Sequence, residues 1–195
     1  MYPRTIDNGH GERMTFLGVD DDRLYIESAV DPGAGPPPHI HHLQSETIRV
    51  RSGRMGVAIS GEPDTEVGPG ESMTFGPGVE HRFWNAGEDT LLIEGEVSPP
   101  DNLEYFLTSV YASVKAHGGR PGAFDGAFLL TRYRSEFAMT SIPTPVQRFV
   151  FPLQLFLGKL LRRYDDFADA PAPARRPASA TLPGRSTTSA RSSAG

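Results

Sequence analysis

The sequence predicts an all-β body, an antiparallel sandwich or barrel, followed by helices and a disordered tail. Glycine (21) and proline (18) together form about a fifth of the 195 residues, which favours many short strands joined by turns over a helix bundle. Short apolar runs between residues 12 and 98 recur at the spacing of antiparallel strands. The length fits one barrel with appended pieces and excludes a large multidomain enzyme.

Seven of these runs are the predicted strands of the barrel domain, residues 12–98. Clusters of Gly, Pro, Asp and Asn separate them, as expected for turns. The sequence contains no internal repeat, so we expect one barrel rather than two. The runs are Met14–Leu17, Leu24–Val30, Glu46–Val50, Met55–Ser60, Ser72–Phe75, His81–Asn85 and Leu91–Val97.

Residues 99–168 are predicted to form a helical extension that packs on the barrel or on a second subunit. Asp101 is the expected N-cap of the first helix, with Glu104 three residues on and an end at Gly118–Gly119. Residues 123–137 form a second, less marked helical piece. Proline residues at 143 and 145 then interrupt the chain.

A third helix is predicted from the spacing of apolar residues between Leu153 and Tyr164, with Lys159, Arg162 and Arg163 on the other face. Such an apolar face requires a partner. We expect it to pack against the protein's own body or the mate of a homodimer, rather than against a membrane.

Residues 169–195 are predicted to be a disordered tail. From residue 171 onward the chain consists almost entirely of Ala, Pro, Ser, Thr, Arg and Gly, and Leu182 is the only sizeable apolar side chain. Such a segment buries too little surface to offset the entropy lost on ordering.

Composition excludes several classes of function. The absence of cysteine rules out disulfides, thiolate metal sites and a cysteine nucleophile, so a metal would need nitrogen and oxygen ligands. The net charge is −5, and the four arginines of residues 171–195 leave −9 on the rest, which disfavours nucleic acid as a partner. No stretch is long and apolar enough to span a bilayer, so we expect a soluble, cytoplasmic protein.

The first candidate site lies between Gly33 and Gly53. Alternate residues of a strand face the same side, so His39 and His41 should converge while His42 points away. Glu46 follows on the apolar face of the next strand, where a carboxylate needs a cation.

A second segment, from Gly70 to Asn85, brings a third imidazole. After a Gly-Pro-Gly turn, His81 shares one face of the returning strand with Phe83 and Asn85. Three imidazoles and one carboxylate form a nitrogen and oxygen site for a divalent transition metal, Fe, Mn or Ni, with Zn also suitable.

These two segments resemble the two motifs of the cupin family. Gly33, His39, His41, Glu46 and Gly53 match the first motif, and the second is matched by Gly70, Gly78, His81 and Asn85. Gly76 stands where the family usually has proline. The resemblance implies a double-stranded β-helix, or jelly roll, with His39, His41, Glu46 and His81 as metal ligands.

Five further side chains are candidates for a substrate pocket near the metal, although core packing also accounts for the apolar ones. They are Gln44, Met55, Met73, Phe75 and Phe83.

The leading functional hypothesis is a mononuclear metal enzyme that oxidises a small aromatic or carbonyl compound with dioxygen. In this hypothesis Glu46 both binds the metal and serves as a general base. The resemblance also implies two alternatives, because one fold supports many functions. One is a redox-neutral isomerase, cyclase or decarboxylase, and the other is a cupin that binds a small ligand without converting it.

Overall fold

A computed structural model describes residues 1–175 and 187–189. Twelve strands lie within this part of the chain, and all of their pairings are antiparallel. In chain order they are β1 (Arg4–Asp7), β2 (Glu12–Asp20), β3 (Arg23–Val30), β4 (His39–His41), β5 (Ser45–Ser52), β6 (Met55–Ile59), β7 (Thr65–Val67), β8 (Ser72–Phe75), β9 (Glu80–Asn85), β10 (Leu91–Ser98), β11 (Phe137–Met139) and β12 (Thr187–Ser189).

The strands form two sheets. The larger has the order β1-β2-β3-β10-β5-β8-β12, and the smaller has the order β11-β4-β9-β6-β7. Several neighbouring strands, such as β3 and β10 or β4 and β9, come from distant parts of the chain, as in a double-stranded β-helix. The predicted all-β fold class is confirmed. Each of the seven predicted runs coincides with a strand, and only the run Met55–Ser60 extends past its strand, by one residue.

The barrel interior is an apolar core to which both sheets contribute. Period-two alternation explains its composition: Ile48 and Val50 of β5 are buried, whereas Arg51 is exposed and pairs with Glu94 of the neighbouring β10. The core residues are Val30, Ile48, Val50, Met55, Val57, Val67, Met73, Phe75, Phe83, Leu91 and Ile93.

The first two predicted helices are α1 (Leu103–Ala116) and α2 (Ala123–Arg132). They contribute Leu103, Phe106 and Leu129 to a second apolar cluster that also holds residues of β2, β3 and β10. The helical extension therefore packs on the barrel.

The ends of these helices differ from the prediction. Asn102, not Asp101, precedes the first turn of α1, and Asp101 instead accepts a hydrogen bond from Gln44. The second helical piece was predicted to reach residue 137. It ends at Arg132, because the chain turns there and Phe137 begins β11 beside β4.

The third helix, α3 (Phe151–Leu160), follows a π-helical turn at Val146–Val150. It ends before Tyr164, the predicted limit, because the chain reverses at Arg162, where φ is +55°. A short 3₁₀ turn, Asp165–Phe167, follows. Within the described residues, no helix is long and apolar enough to cross a bilayer.

The structure shows contacts that cross the predicted domain limits. The barrel begins before residue 12, because β1 pairs with β2, and it takes β11 from the helical extension. Residues 170–174, assigned to the disordered tail, are held by hydrogen bonds: the Arg132 guanidinium donates to the carbonyls of Ala170 and Pro171, and Ser135 donates to Ala174.

Backbone pairing also places β12, from the same predicted tail, beside β8. The rest of that prediction, residues 176–186 and 190–195, lies outside the described residues.

Glu136 links the barrel edge, α1 and the segment after residue 169. Its carboxylate is fully buried and accepts hydrogen bonds from the backbone N–H of Asn102 (3.0 Å), the Asn102 amide (2.7 Å) and the backbone N–H of Ala174 (2.8 Å). Both carboxylate oxygens accept hydrogen bonds, and all three of these partners are donors.

We predict that Glu136→Gln destabilises the protein by about 1–3 kcal/mol, because either orientation of the amide would place an N–H against a buried donor. Chemical denaturation measures this change. Glu66→Gln is the control, since Glu66 is exposed and pairs only with exposed Arg54 at 3.5 Å, and it should change stability by less than about 0.5 kcal/mol. Equal effects of the two substitutions would contradict this role for Glu136.

Candidate metal centre

The four predicted metal ligands converge at the junction of the two sheets. His39 and His41 lie on β4, His81 on β9 and Glu46 on β5. One ligand atom from each residue lies within 4.8 Å of the others. The register explains this, because His39 of β4 is paired directly with His81 of β9.

Strand alternation determines which histidines take part. His41 and His81 are only 5% and 2% exposed, while His42 is an exposed residue whose backbone N–H donates to the carbonyl of Glu136. The prediction that His42 points away from the cluster is confirmed.

Backbone carbonyls orient two of the imidazoles. The Nδ1 atoms of His39 and His81 lie 2.9 Å from the carbonyl oxygen of Pro37 and 3.0 Å from that of Val79, respectively. Each acceptor is two residues before its histidine. Donation by Nδ1–H directs the Nε2 lone pair away from the backbone, which is the usual arrangement of metal-binding histidines.

The Glu46 carboxylate lies between two imidazoles. Its Oε2 atom is 3.0 Å from Nε2 of His81 and 3.9 Å from Nε2 of His41. Both nitrogens of His81 therefore face acceptors, and a neutral imidazole has only one N–H to donate. A divalent cation between Nε2 and the carboxylate satisfies both groups, so this donor set fits a metal ion.

The protonation states of the cluster suit metal binding. Burial lowers the pKa of His41 to about 3, and it also lowers the pKa of His39. Burial by itself raises the pKa of Glu46, but the hydrogen bond with His81 and the nearby imidazoles outweigh it and hold that pKa at about 2. Neutral imidazoles and an ionised carboxylate are the forms that bind metal ions.

Aromatic side chains enclose the imidazoles. The Phe75 ring stacks on His81 with centroids 3.9 Å apart and an interplanar angle of 6°. Phe137 contacts His41 edge-on at 5.4 Å and 82°. Sequence reasoning missed Phe137, because it lies almost a hundred residues from His41 and no local pattern signals the contact.

The predicted pocket residues lie in two different environments. Gln44 is fully buried, and its amide donates to Asp101 at 3.1 Å. The other four are members of the barrel core, and among them Phe75 contacts a predicted metal ligand. Contact with a substrate stays a prediction for these residues, which are Gln44, Met55, Met73, Phe75 and Phe83.

Two residues of the second motif support the site without binding metal. The Asn85 side chain donates to the carbonyls of Val30 and Asp89, both at 2.8 Å. The backbone carbonyl of Asn85 accepts from the backbone N–H of Gly33 of the first motif at 2.9 Å. Gly78, with φ of +82°, donates to the carbonyl of His41 at 2.7 Å. The turn before His81 is thus tied to β4 despite the absence of proline at position 76.

Comparison with known proteins identifies the class of the barrel. Residues 27–94 match the family model of the cupin domain. This part of the chain is therefore a cupin domain, and the helices lie outside the matched range. No curated protein sequence matches the chain.

Several solved structures are similar to about half of the chain. KdgF from Halomonas sp. is 23% identical with a TM-score of 0.45, over 49% of this chain and 87% of that one. An RmlC-like cupin from Shewanella frigidimarina is 22% identical with a TM-score of 0.44, over 50% and 85% of the two chains. The coconut allergen cocosin is 14% identical with a TM-score of 0.44, and the match spans 49% of this chain but only 30% of the allergen.

We predict that His81→Ala abolishes metal binding, whereas His42→Ala keeps the wild-type level of about one ion per chain. His81 contributes a buried nitrogen to the cluster, while the His42 side chain is exposed on the other side of the strand. Elemental analysis of protein purified without chelators measures the difference. Equal metal contents in the two variants would contradict the assignment of the ligands.

Proposed function

We propose that the protein is a mononuclear metal enzyme that oxidises a small aromatic or carbonyl compound with dioxygen. The convergence of His39, His41, Glu46 and His81 carries this proposal. The metal is Fe, Mn or Ni, because these ions accept imidazole and carboxylate ligands, and Zn also fits the donor set.

Four protein ligands leave coordination positions open on a six-coordinate ion. His39, His41, Glu46 and His81 would hold the ion, which would supply Lewis acidity and a position for orienting the substrate. The chain's own residues provide the rest of the site.

The protein prepares this site before any substrate binds. Carbonyl groups of Pro37 and Val79 hold two imidazoles in place. Phe75 and Phe137 exclude water from the buried side of the cluster, and a dry environment strengthens electrostatic interactions within it. Glu46, with a side chain that is 15% exposed, and His39 are the partly exposed members of the cluster, so substrate approaches from the side of these two residues.

The low pKa of Glu46, about 2, favours its role as a ligand over a role as a general base. An efficient base has a pKa near the working pH. The role of Glu46 as a general base stays a prediction. The substitution Glu46→Gln distinguishes this role from that of a metal ligand.

We predict that Glu46→Gln lowers metal affinity by about tenfold or more, because the charge of an oxygen ligand is lost while its size is kept. Metal titration followed by elemental analysis measures the effect, and Glu88→Gln, at an exposed loop position, is the control. Full retention of metal with loss of turnover would instead assign Glu46 as the base.

The reaction itself is tested with protein reconstituted with Fe(II), Mn(II) or Ni(II). We expect oxygen uptake with a member of a panel of small phenols and carbonyl compounds, and no uptake by a His39→Ala/His41→Ala variant. Product formation that persists without oxygen would overturn the dioxygenase proposal in favour of isomerisation, cyclisation or decarboxylation. If the wild-type protein holds no more metal than the His39→Ala/His41→Ala variant, the dioxygenase hypothesis and the redox-neutral hypothesis are both overturned. The remaining hypothesis is then a cupin that binds a small ligand without converting it.

A further inference from the structure

Helix α3 and the turn before it present an uncovered apolar surface, which we call the apolar face. Within the described part of the chain, thirteen large hydrophobic side chains are exposed, and seven of them lie in this one segment of thirteen residues. Their spacing places them on one side of the helix. They are Phe149 (68% exposed), Val150 (41%), Leu153 (57%), Phe156 (67%), Leu157 (37%), Leu160 (70%) and Leu161 (57%).

The opposite side of α3 is attached to the body of the protein. Tyr164 packs against Gly158 so closely that an added Cβ would lie 2.4 Å from its ring, and its hydroxyl donates to the carbonyl of Gln154 at 3.1 Å. The Tyr164 ring also lies 5.0 Å from Phe128 of α2. Because these contacts use the other side of α3, the apolar face is turned outward.

Charge around the apolar face differs from the rest of the chain. Residues 137–164 contain no Asp or Glu but include Arg148, Lys159, Arg162 and Arg163, all of which are exposed. Residues 1–136, in contrast, carry 21 acidic and 11 basic side chains. The next acidic residues in the sequence are 165, 166 and 169, and one of them, Asp165, pairs with Arg162 at 3.3 Å.

The net charge of the sequence beyond residue 170 is also positive. This segment contains four arginines and no acidic residue. Residues 137–164, which carry the apolar face, are thus basic, whereas residues 1–136 have a net negative charge.

This charge distribution disfavours a second copy as the partner. A two-fold contact would place the apolar face of one copy on that of the other. Among the described residues, Arg162 is paired with Asp165, whereas Arg148, Lys159 and Arg163 form no ion pair and would meet the same three basic residues of the second copy. An anionic lipid surface satisfies both features at once, since it offers acyl chains to apolar side chains and negative headgroups to lysine and arginine.

We propose that α3 and its preceding turn bind the surface of an anionic membrane. Phe149, Phe156 and Leu160 insert among the outer acyl groups, while Lys159 and Arg163 contact the headgroups. The helix lies in the membrane plane, and the acidic barrel remains on the aqueous side.

Vesicle sedimentation of the full chain tests this proposal. We expect the protein to sediment with vesicles of phosphatidylcholine containing about one third phosphatidylglycerol, to bind vesicles of phosphatidylcholine alone more weakly, and to be partly released by salt. Absence of binding to both kinds of vesicle would overturn the proposal.

Two matched double variants locate the contact. Phe156→Ser/Leu160→Ser should lower the partition coefficient by about tenfold or more, because two large side chains no longer leave water. Leu17→Ser/Leu92→Ser, at exposed positions of β2 and β10, should bind as the wild type does. Binding of the first variant at the wild-type level would contradict the assignment.

A charge variant tests the contact with the headgroups, and the oligomeric state tests whether a second copy covers the apolar face. Lys159→Gln/Arg163→Gln should remove most of the preference for anionic vesicles. The homodimer expected from the sequence stays a prediction, and analytical ultracentrifugation examines it in the same variants. A dimer that Phe156→Ser/Leu160→Ser dissociates, together with no vesicle binding by the wild type, would assign the apolar face to a second copy and overturn the proposal.

Discussion

Burial of the Glu46 carboxylate beside three imidazoles is the interaction on which the site depends. An ionised carboxylate in a barrel interior is costly unless positive charge or hydrogen bonds compensate it. Here His81 lies 3.0 Å away and His41 3.9 Å away, and the pKa of Glu46 is held at about 2. The imidazoles come from the smaller sheet and the carboxylate from the larger. The same cluster therefore joins the two sheets and provides the donor set for a metal.

The helical extension completes the barrel rather than merely covering it. It supplies β11, which pairs with the strand that carries His39 and His41, and it supplies Phe137, which contacts the His41 ring. Glu136, directly before β11, binds both the start of α1 and the segment near Ala174. Packing of the extension and support of the site are thus parts of one set of contacts.

The apolar face of α3 lies on a different element from the metal ligands. Tyr164 fixes how α3 is attached, and its contacts involve no residue of the metal cluster. Substitutions at exposed positions of the face therefore leave the barrel interior intact, and the membrane proposal and the enzymatic proposal are testable separately.

Local periodicity was enough to predict seven of the twelve described strands, and with the motif spacing it predicted the convergence of the four ligands. Alternation along β4 determines that His39 and His41 face one side and His42 the other, and motif spacing brings in Glu46 and His81. The tertiary structure alone decided the pairing of β11, the burial of Glu136, the contact of Phe137 and the attachment of residues 170–174. It also decided that the apolar face of α3 points outward. The physical reason is that periodicity determines which side of an element is apolar, whereas the partner of that side depends on contacts between residues far apart in the chain.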